Sequence, residues 1–245
     1  MVSSFASCGF CPPAGCALCG QLSDAMARKL VDNMQTVRFE RGNNLTLETF
    51  SAGGLAVLAT GSVALAHLFP DGRRAIVGFN VAGEGLWFGS HTDARELCIE
   101  ALSDITVRIL EGRALAALAR NEAELYRAML AWARADATRA LRGMASLSRM
   151  TASERLATFL YDFIQRTCRG VEDGYEVTLP MNREAIADHL GLKPETVSRQ
   201  FTQLKHAGLI VLPRPGLIRV RMADALRLMV PYDMAGDIDA YEMAG

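Results

Sequence analysis

Between Val37 and about Leu110, short apolar stretches alternate with turn signals: Gly42-Asn43-Asn44, Ala52-Gly53-Gly54, Thr60-Gly61-Ser62, Pro70-Asp71-Gly72 and Ala82-Gly83-Glu84-Gly85. Turn signals about 8 to 12 residues apart are the spacing of a sandwich or a rolled antiparallel sheet. The clearest hairpin joins Val63–Leu68 to Ala75–Phe79 through Asp71-Gly72, two residues that tolerate the positive φ a tight turn needs.

The texture changes at Glu111-Gly112. From Arg113 the chain is rich in Ala, Leu, Arg and Glu, has no Pro and only Gly143 as a breaker, which predicts one extended helix to about Leu147. Leu118, Leu125, Met129 and Trp132, then Ala140, Leu147 and Met150, recur at spacings of three, four or their sums, as a packed seam requires. Such a seam either lies on the chain's own sheet or meets a second copy, in which case Leu125, Met129 and Trp132 form the dimer contact. Asp136 falls in line with it. Two copies of Asp136 facing each other across a two-fold axis weaken association; a satisfied or solvent-facing carboxylate is the equally compatible alternative.

Thr151-Ala152-Ser153-Glu154 has the spacing of a capping box and starts a helix to about Arg166. Gly170 to Gly174 reads as a loop, Tyr175 to Leu179 alternates as a strand, and Pro180 ends it. Asn182 then caps a short helix, Arg183 to Leu190; Gly191 permits a tight turn, and Lys193-Pro194 opens a second helix with Pro at its first position. Two helices joined in this way form a helix-turn-helix, whose second helix reads DNA. Val197, Phe201 and Leu204 make its buried face, leaving Glu195, Thr196, Ser198, Arg199 and Thr202 outward. Arg donates two hydrogen bonds to guanine, Glu accepts from cytosine and Ser serves either role. Lys205 and His206, a turn later, suit phosphate. Leu209–Leu212 and Leu217–Val220, joined through Pro213-Arg214-Pro215-Gly216, form a wing with a basic tip at Arg214.

Charge sharpens this reading. The chain's formal net charge is −1, so DNA binding has to come from a local surface. Between Met181 and Arg221 stand Arg183, Lys193, Arg199, Lys205, Arg214, Arg219 and Arg221, against only Glu184, Asp188 and Glu195. No apolar run of about 18 residues is present and the N-terminus lacks signal-peptide order, so a cytoplasmic protein without a membrane partner is expected. Four of the 6 cysteines, Cys8, Cys11, Cys16 and Cys19, form C-x2-C-x4-C-x2-C. In a reducing compartment this spacing points to metal, and by itself it fits structural zinc and an iron-sulfur cluster equally. His67, His91, His189 and His206 show no ligand spacing and no nucleophile-base set appears, so no enzyme is expected.

The runs Glu154–Leu160, Met181–Leu192 and Glu195-Thr196-Val197-Ser198-Arg199 resemble the Crp-Fnr superfamily of bacterial transcription regulators, and the recognition pattern Glu, two residues, Ser, Arg is similar to its Fnr branch. The resemblance implies an α+β chain: a Cys-rich segment (1–20), a β-roll sensor domain like the cyclic-nucleotide-binding jelly roll (21–110), a dimerisation helix (111–149), a winged helix-turn-helix (150–230) and an acidic tail (231–245). It implies a homodimer on a double-stranded operator with TTGAT-like half-sites, with Arg199 on the guanine, Glu195 on a cytosine and Ser198 on a thymine. RNA polymerase is the implied partner of an activator. It also implies an oxygen-labile [4Fe-4S] cluster and hence oxygen or redox sensing; the alternative is a regulator sensing haem or another small ligand, with the cysteines on zinc. The Fnr pattern takes a ligand from the sheet domain, where this chain aligns Arg108. All four ligands then come from the N-terminal segment, or Cys98 is the distal one; Cys98 lies in a strand-like run where a buried thiol is expected. Where cyclic-nucleotide binders hold phosphate, this chain aligns Trp87-Phe88 or Gly89-Ser90, and Arg95-Glu96. A carboxylate there opposes an anion, so no cyclic-AMP response is expected.

Overall fold

The computed structural model describes residue 18 and residues 21–45, 54–88, 97–120, 122–167, 169–171, 174–221 and 223–231. Cys8, Cys11, Cys16, Cys19 and Cys168 lie outside them, as do positions 89–96 of the expected phosphate loop and the acidic tail beyond Pro231. The chain divides into two compact units, Met1–Gly143 and Met144–Gly245.

The first unit starts with α1 (Asp24–Asp32), followed by strands β1 (Gln35–Phe39), β2 (Asn44–Leu45), β3 (Gly54–Thr60), β4 (Ser62–Leu68), β5 (Arg74–Val81), β6 (Gly85–Phe88), β7 (Leu97–Ala101) and β8 (Ile105–Glu111). These form two antiparallel sheets, ordered β1-β8-β3-β6 and β2-β7-β4-β5. Alternation along β3 explains how one strand serves two cores. Ala56 and Leu58 join Leu45, Val63, Leu86, Ile99, Ile105 and Val107, drawn from both sheets. Leu55 and Val57 point the other way, into a cluster with Met26, Leu30, Leu110, Leu115, Leu125 and Trp132. The expected hairpin is present as β4 and β5, with Gly72 at φ +86° in its turn.

After the sheets come α2 (Gly112–Ala119) and α3 (Ala123–Arg149). The single extended helix expected from Arg113 is therefore two. Leu115 and Leu118 of α2 pack with the cluster on β3, and α3 returns to the same cluster with Leu125, Ala128 and Trp132. The break falls between Ala119, the last residue of α2, and Ala123, the first of α3.

Packing also corrects the seam. Leu125 is 0% and Trp132 4% exposed, and half-buried Met129 packs beside them, so this stripe packs on the chain's own core. Asp136 pairs with Arg139 of its own helix at 3.0 Å. A second stripe on α3 carries exposed apolar groups instead: Tyr126, Leu130, Ala133, Ala137, Ala140, Met144 and Leu147, spaced four, three, four, three, four and three. Tyr126, Leu130 and Met144 are 64%, 55% and 68% exposed. A strict 4-3 alternation over three heptads is the pattern of a coiled-coil face.

The second unit holds α4 (Ala152–Thr167), β9 (Arg169–Val171), β10 (Gly174–Thr178), α5 (Arg183–Leu190), α6 (Pro194–His206), β11 (Ile210–Arg214), β12 (Leu217–Val220) and α7 (Ala223–Leu228). Its sheet runs β11-β12-β10-β9. The capping box before α4 is formed: the Glu154 carboxylate accepts from the Thr151 backbone N–H at 2.7 Å, and Thr151 Oγ1 accepts from the Glu154 N–H at 3.3 Å. The expected loop from Gly170 to Gly174 is shorter than read, because residues 169–171 pair with residues 174–176 as a tight hairpin. Phe163 and Phe201 are the largest fully buried side chains here, each worth about 1.5–3 kcal/mol of transfer free energy.

Candidate DNA-reading site

Local chemistry fixes each part of the helix-turn-helix. Asn182 Oδ1 accepts from the Ala185 N–H at 2.8 Å and so satisfies one of the orphan donors of α5. Gly191 ends that helix at φ +60°, the left-handed region where a side chain is strained. The N–H of Leu192 then reaches back to the Ala187 carbonyl at 2.9 Å, a helix-stop bond. Pro194 starts α6 without forfeiting an N–H. Ile186, Leu190, Val197, Phe201 and Leu204 are all buried, locking the two helices together.

That packing leaves Glu195, Ser198, Arg199, Thr202, Lys205 and His206 exposed and Thr196 half-buried. Glu195, Ser198, Arg199 and Thr202 stand at i, i+3, i+4 and i+7, hence on one face of the N-terminal half of α6. The Thr202 hydroxyl donates to the Ser198 carbonyl at 3.0 Å, so toward a base it offers only acceptor lone pairs. Arg199 and Glu195 therefore carry the donor and acceptor capacity suited to a guanine and a cytosine edge. Arg214 is exposed at the end of β11, at the wing tip.

Two of the seven basic residues counted from the sequence are not free surface charge. The guanidinium of Arg183 lies 3.2 Å from the centre of the Phe201 ring, and its burial lowers its pKa to about 10. It remains charged at neutral pH and holds α5 against α6. Arg219 pairs with Glu176 across the sheet at 2.9 Å. Lys193, Arg199, Lys205, Arg214 and Arg221 remain exposed. A further arginine escaped the sequence reading: Arg155 of α4 donates to the carbonyls of Leu147, Met150 and Leu190 at 2.9, 3.0 and 2.9 Å. Carbonyl acceptors leave no mark in the sequence.

Cys98, the alternative metal ligand, is half-buried on β7. Its Sγ lies 3.4 Å from Asn44 Oδ1, and burial followed by the charge of Glu100 pushes its pKa up. Arg108 is half-buried on β8, opposite Thr36 and Val57. Among the described residues, no group of three or more His, Cys, Asp or Glu side chains is placed to hold a metal ion. No helix among them is long and apolar enough to cross a membrane.

Residues 154–229 match the family model of the Crp-like helix-turn-helix domain. The chain is 37% identical over 170 residues to the nitrogen fixation regulation protein FixK of Rhizobium meliloti, covering 69% of this chain and 75% of the relative. This chain belongs to the Crp-Fnr superfamily of transcription regulators. It is also 33% identical to the transcriptional activatory protein AadR of Rhodopseudomonas palustris, over 89% of each chain. Among solved structures it is similar to FixK2 of Bradyrhizobium japonicum, with a TM-score of 0.72 and 29% identity over 81% of this chain and 98% of that one. As a superfamily member it is a DNA-binding transcription regulator, and α6 is the second helix of its helix-turn-helix.

Proposed function

We propose that this regulator responds to oxygen or redox state and binds a palindromic, TTGAT-like operator as a homodimer. The observation that carries the reading is the exposed face of α6, where Glu195, Ser198 and Arg199 stand together on a rigid support. The exposed 4-3 stripe on α3 favours the homodimer, because two copies of one helix face pair isologously about a two-fold axis. Double-stranded DNA is the partner, and RNA polymerase follows wherever the protein activates.

Cys8, Cys11, Cys16 and Cys19 supply four soft thiolates, the donor set of a [4Fe-4S] cluster, and are the residues that would hold it. When bound, such a cluster supplies an oxygen-labile centre. The chain's own residues connect that segment to α3. Leu18, between Cys16 and Cys19, is 2% exposed and belongs to the cluster formed with Leu125 and Trp132. Downstream, the Ser23 backbone N–H and hydroxyl donate to the Glu124 carboxylate, and Lys29 pairs with Glu122. A displacement of the segment around Leu18 would therefore reach the first turns of α3, on the face that flanks its exposed stripe.

The test is purification without air, iron and sulfide analysis, and operator binding before and after air exposure. Brown protein with stoichiometric iron and sulfide and air-sensitive binding supports the reading. A colourless zinc protein that binds equally in air, or a sharp haem absorbance, refutes it. No cyclic-AMP response is proposed, and binding unaffected by cyclic AMP is the expected result.

A further inference from the structure

We propose that Arg155 is a positioning residue that sets the spacing between the two half-sites this protein accepts; the proposal rests on the dimeric operator reading above. Arg155 lies in the first turns of α4, and its guanidinium is shared among three backbone carbonyls. Nε donates to Met150 and Nη2 to Leu147, both at the C-terminal end of α3; Nη1 donates to Leu190, the last residue of α5. These are carbonyls that helix ends leave without intrahelical partners. One cation thus satisfies two helix C-termini, whose partial negative charges both favour it.

The joint is tight. A Cβ at Gly191 would stand 3.2 Å from Leu147 Cδ2 and 3.5 Å from Arg155 Nη1, so the turn between α5 and α6 rests on the last turns of α3 and on the guanidinium itself. Leu147 belongs to the exposed stripe of α3. The residue through which a second copy is met is therefore also a residue on which the helix-turn-helix is seated. Met150, buried and touching the Thr158 hydroxyl through its sulfur at 3.6 Å, seats the helix end as well.

Base reading and half-site spacing are separable properties. The first depends on α6, on the Asn182 cap and on the buried face of Val197, Phe201 and Leu204; Arg155 meets the reading head behind these, at the Leu190 carbonyl and the Gly191 turn. The second depends on how each helix-turn-helix is fixed to the dimer axis. Removing the three-carbonyl clasp leaves the reading head intact while loosening its attachment to the end of α3. Lys cannot substitute, because an ammonium does not present a planar fork to three separated acceptors.

The experiment measures binding of the full chain, purified without air, to operators whose gap between half-sites is shortened or lengthened by one and two base pairs. Wild type is compared with Arg155→Gln and with Arg155→Lys, which keeps the charge should the first variant fold poorly. The expected result is that the preference for one spacing over its neighbours shrinks by about tenfold in both variants. Discrimination against a substituted guanine within a half-site stays at the wild-type level. Variants that keep the wild-type spacing preference overturn the proposal, as do variants that lose spacing and base discrimination together. If wild type itself binds no palindrome, or binds all spacings alike, it is the dimeric operator reading that fails.

Discussion

Replacing Gly85 with alanine adds one carbon, and its consequence follows from the contact between β6 and α3. A Cβ built at Gly85 would stand 1.8 Å from Trp132 Cζ2 and 2.2 Å from Cη2. Carbon atoms rest at about 3.5–4.0 Å, so the indole must retreat by roughly 2 Å. Neither partner is free to yield. Trp132 is 4% exposed in a cluster with Leu55, Leu125 and Leu110, while Gly85 pairs with Val57 and its carbonyl accepts from the buried Asn80 amide at 3.0 Å. The cost belongs at the upper end of overpacking, about 3 kcal/mol, which lowers the melting temperature by about 6–12 °C for a chain of this size. The assay is thermal unfolding followed by near-ultraviolet circular dichroism, with Gly143→Ala as the control. At Gly143 in α3 an added Cβ meets nothing within 4 Å, so the same substitution stabilises by about 0.5–1 kcal/mol. Trp132→Leu removes the clashing ring atoms and reduces the Gly85→Ala penalty in a double-mutant cycle. A Gly85→Ala melt within about 1 °C of wild type, or a penalty unchanged by Trp132→Leu, would falsify the packing argument.

Arg199→Ala is expected to weaken operator binding by about 1–3 kcal/mol and to flatten selectivity at one base pair per half-site, measured by fluorescence anisotropy on single-base operator variants. Asn182→Ala removes the cap of α5 and costs about 1 kcal/mol in urea unfolding; no change would mean that the cap is redundant. Leu130→Glu combined with Met144→Glu places like charges on the exposed stripe of α3 and shifts the protein to monomer in analytical ultracentrifugation, whereas Asp136→Ala leaves association unchanged. Glu154 is held below its ordinary carboxylate range by the Thr151 backbone N–H and then by the Thr151 hydroxyl. Its contribution is present above the ordinary glutamate pKa and is lost as pH falls through the lowered one, so the cap of α4 weakens only in acid. Thr151→Val removes the second bond, and the Glu154 titration, followed by NMR, moves part of the way back up.

The helix-turn-helix was legible because its determinants are short-range. Asn182, Gly191 and Pro194 announce a cap, a left-handed turn and a helix start to any reader of neighbouring residues, and burial of Val197, Phe201 and Leu204 follows from period alone. The long helix was less legible because α3 carries two apolar stripes, and periodicity does not say which one meets the chain's own sheet. The spacing of Leu125, Met129 and Trp132 fits a partner or the chain's own sheet alike, and they pack over Leu55 and Val57; the exposed stripe starting at Tyr126 is harder to see because alanines dilute its middle. Arg183 and Arg155 were hidden for a different reason. An arginine on a ring face or on carbonyls has the same one-letter code as an arginine in water, and only the tertiary arrangement tells them apart.

Those alanines also bear on how firmly two copies can hold each other. Along the exposed side of α3, the larger groups sit toward the ends, Tyr126 and Leu130 at one and Leu141, Met144 and Leu147 at the other, with the methyls of Ala133, Ala137 and Ala140 between. Three methyls remove little apolar area from water, so the grip of such a zipper is concentrated at its two ends. The end near Tyr126 adjoins Leu125, the neighbour of Leu18 in the core, and the end near Leu147 adjoins the turn of the reading head. In the proposed dimer, pairing of the copies would depend on the large groups at each end of this face more than on its middle.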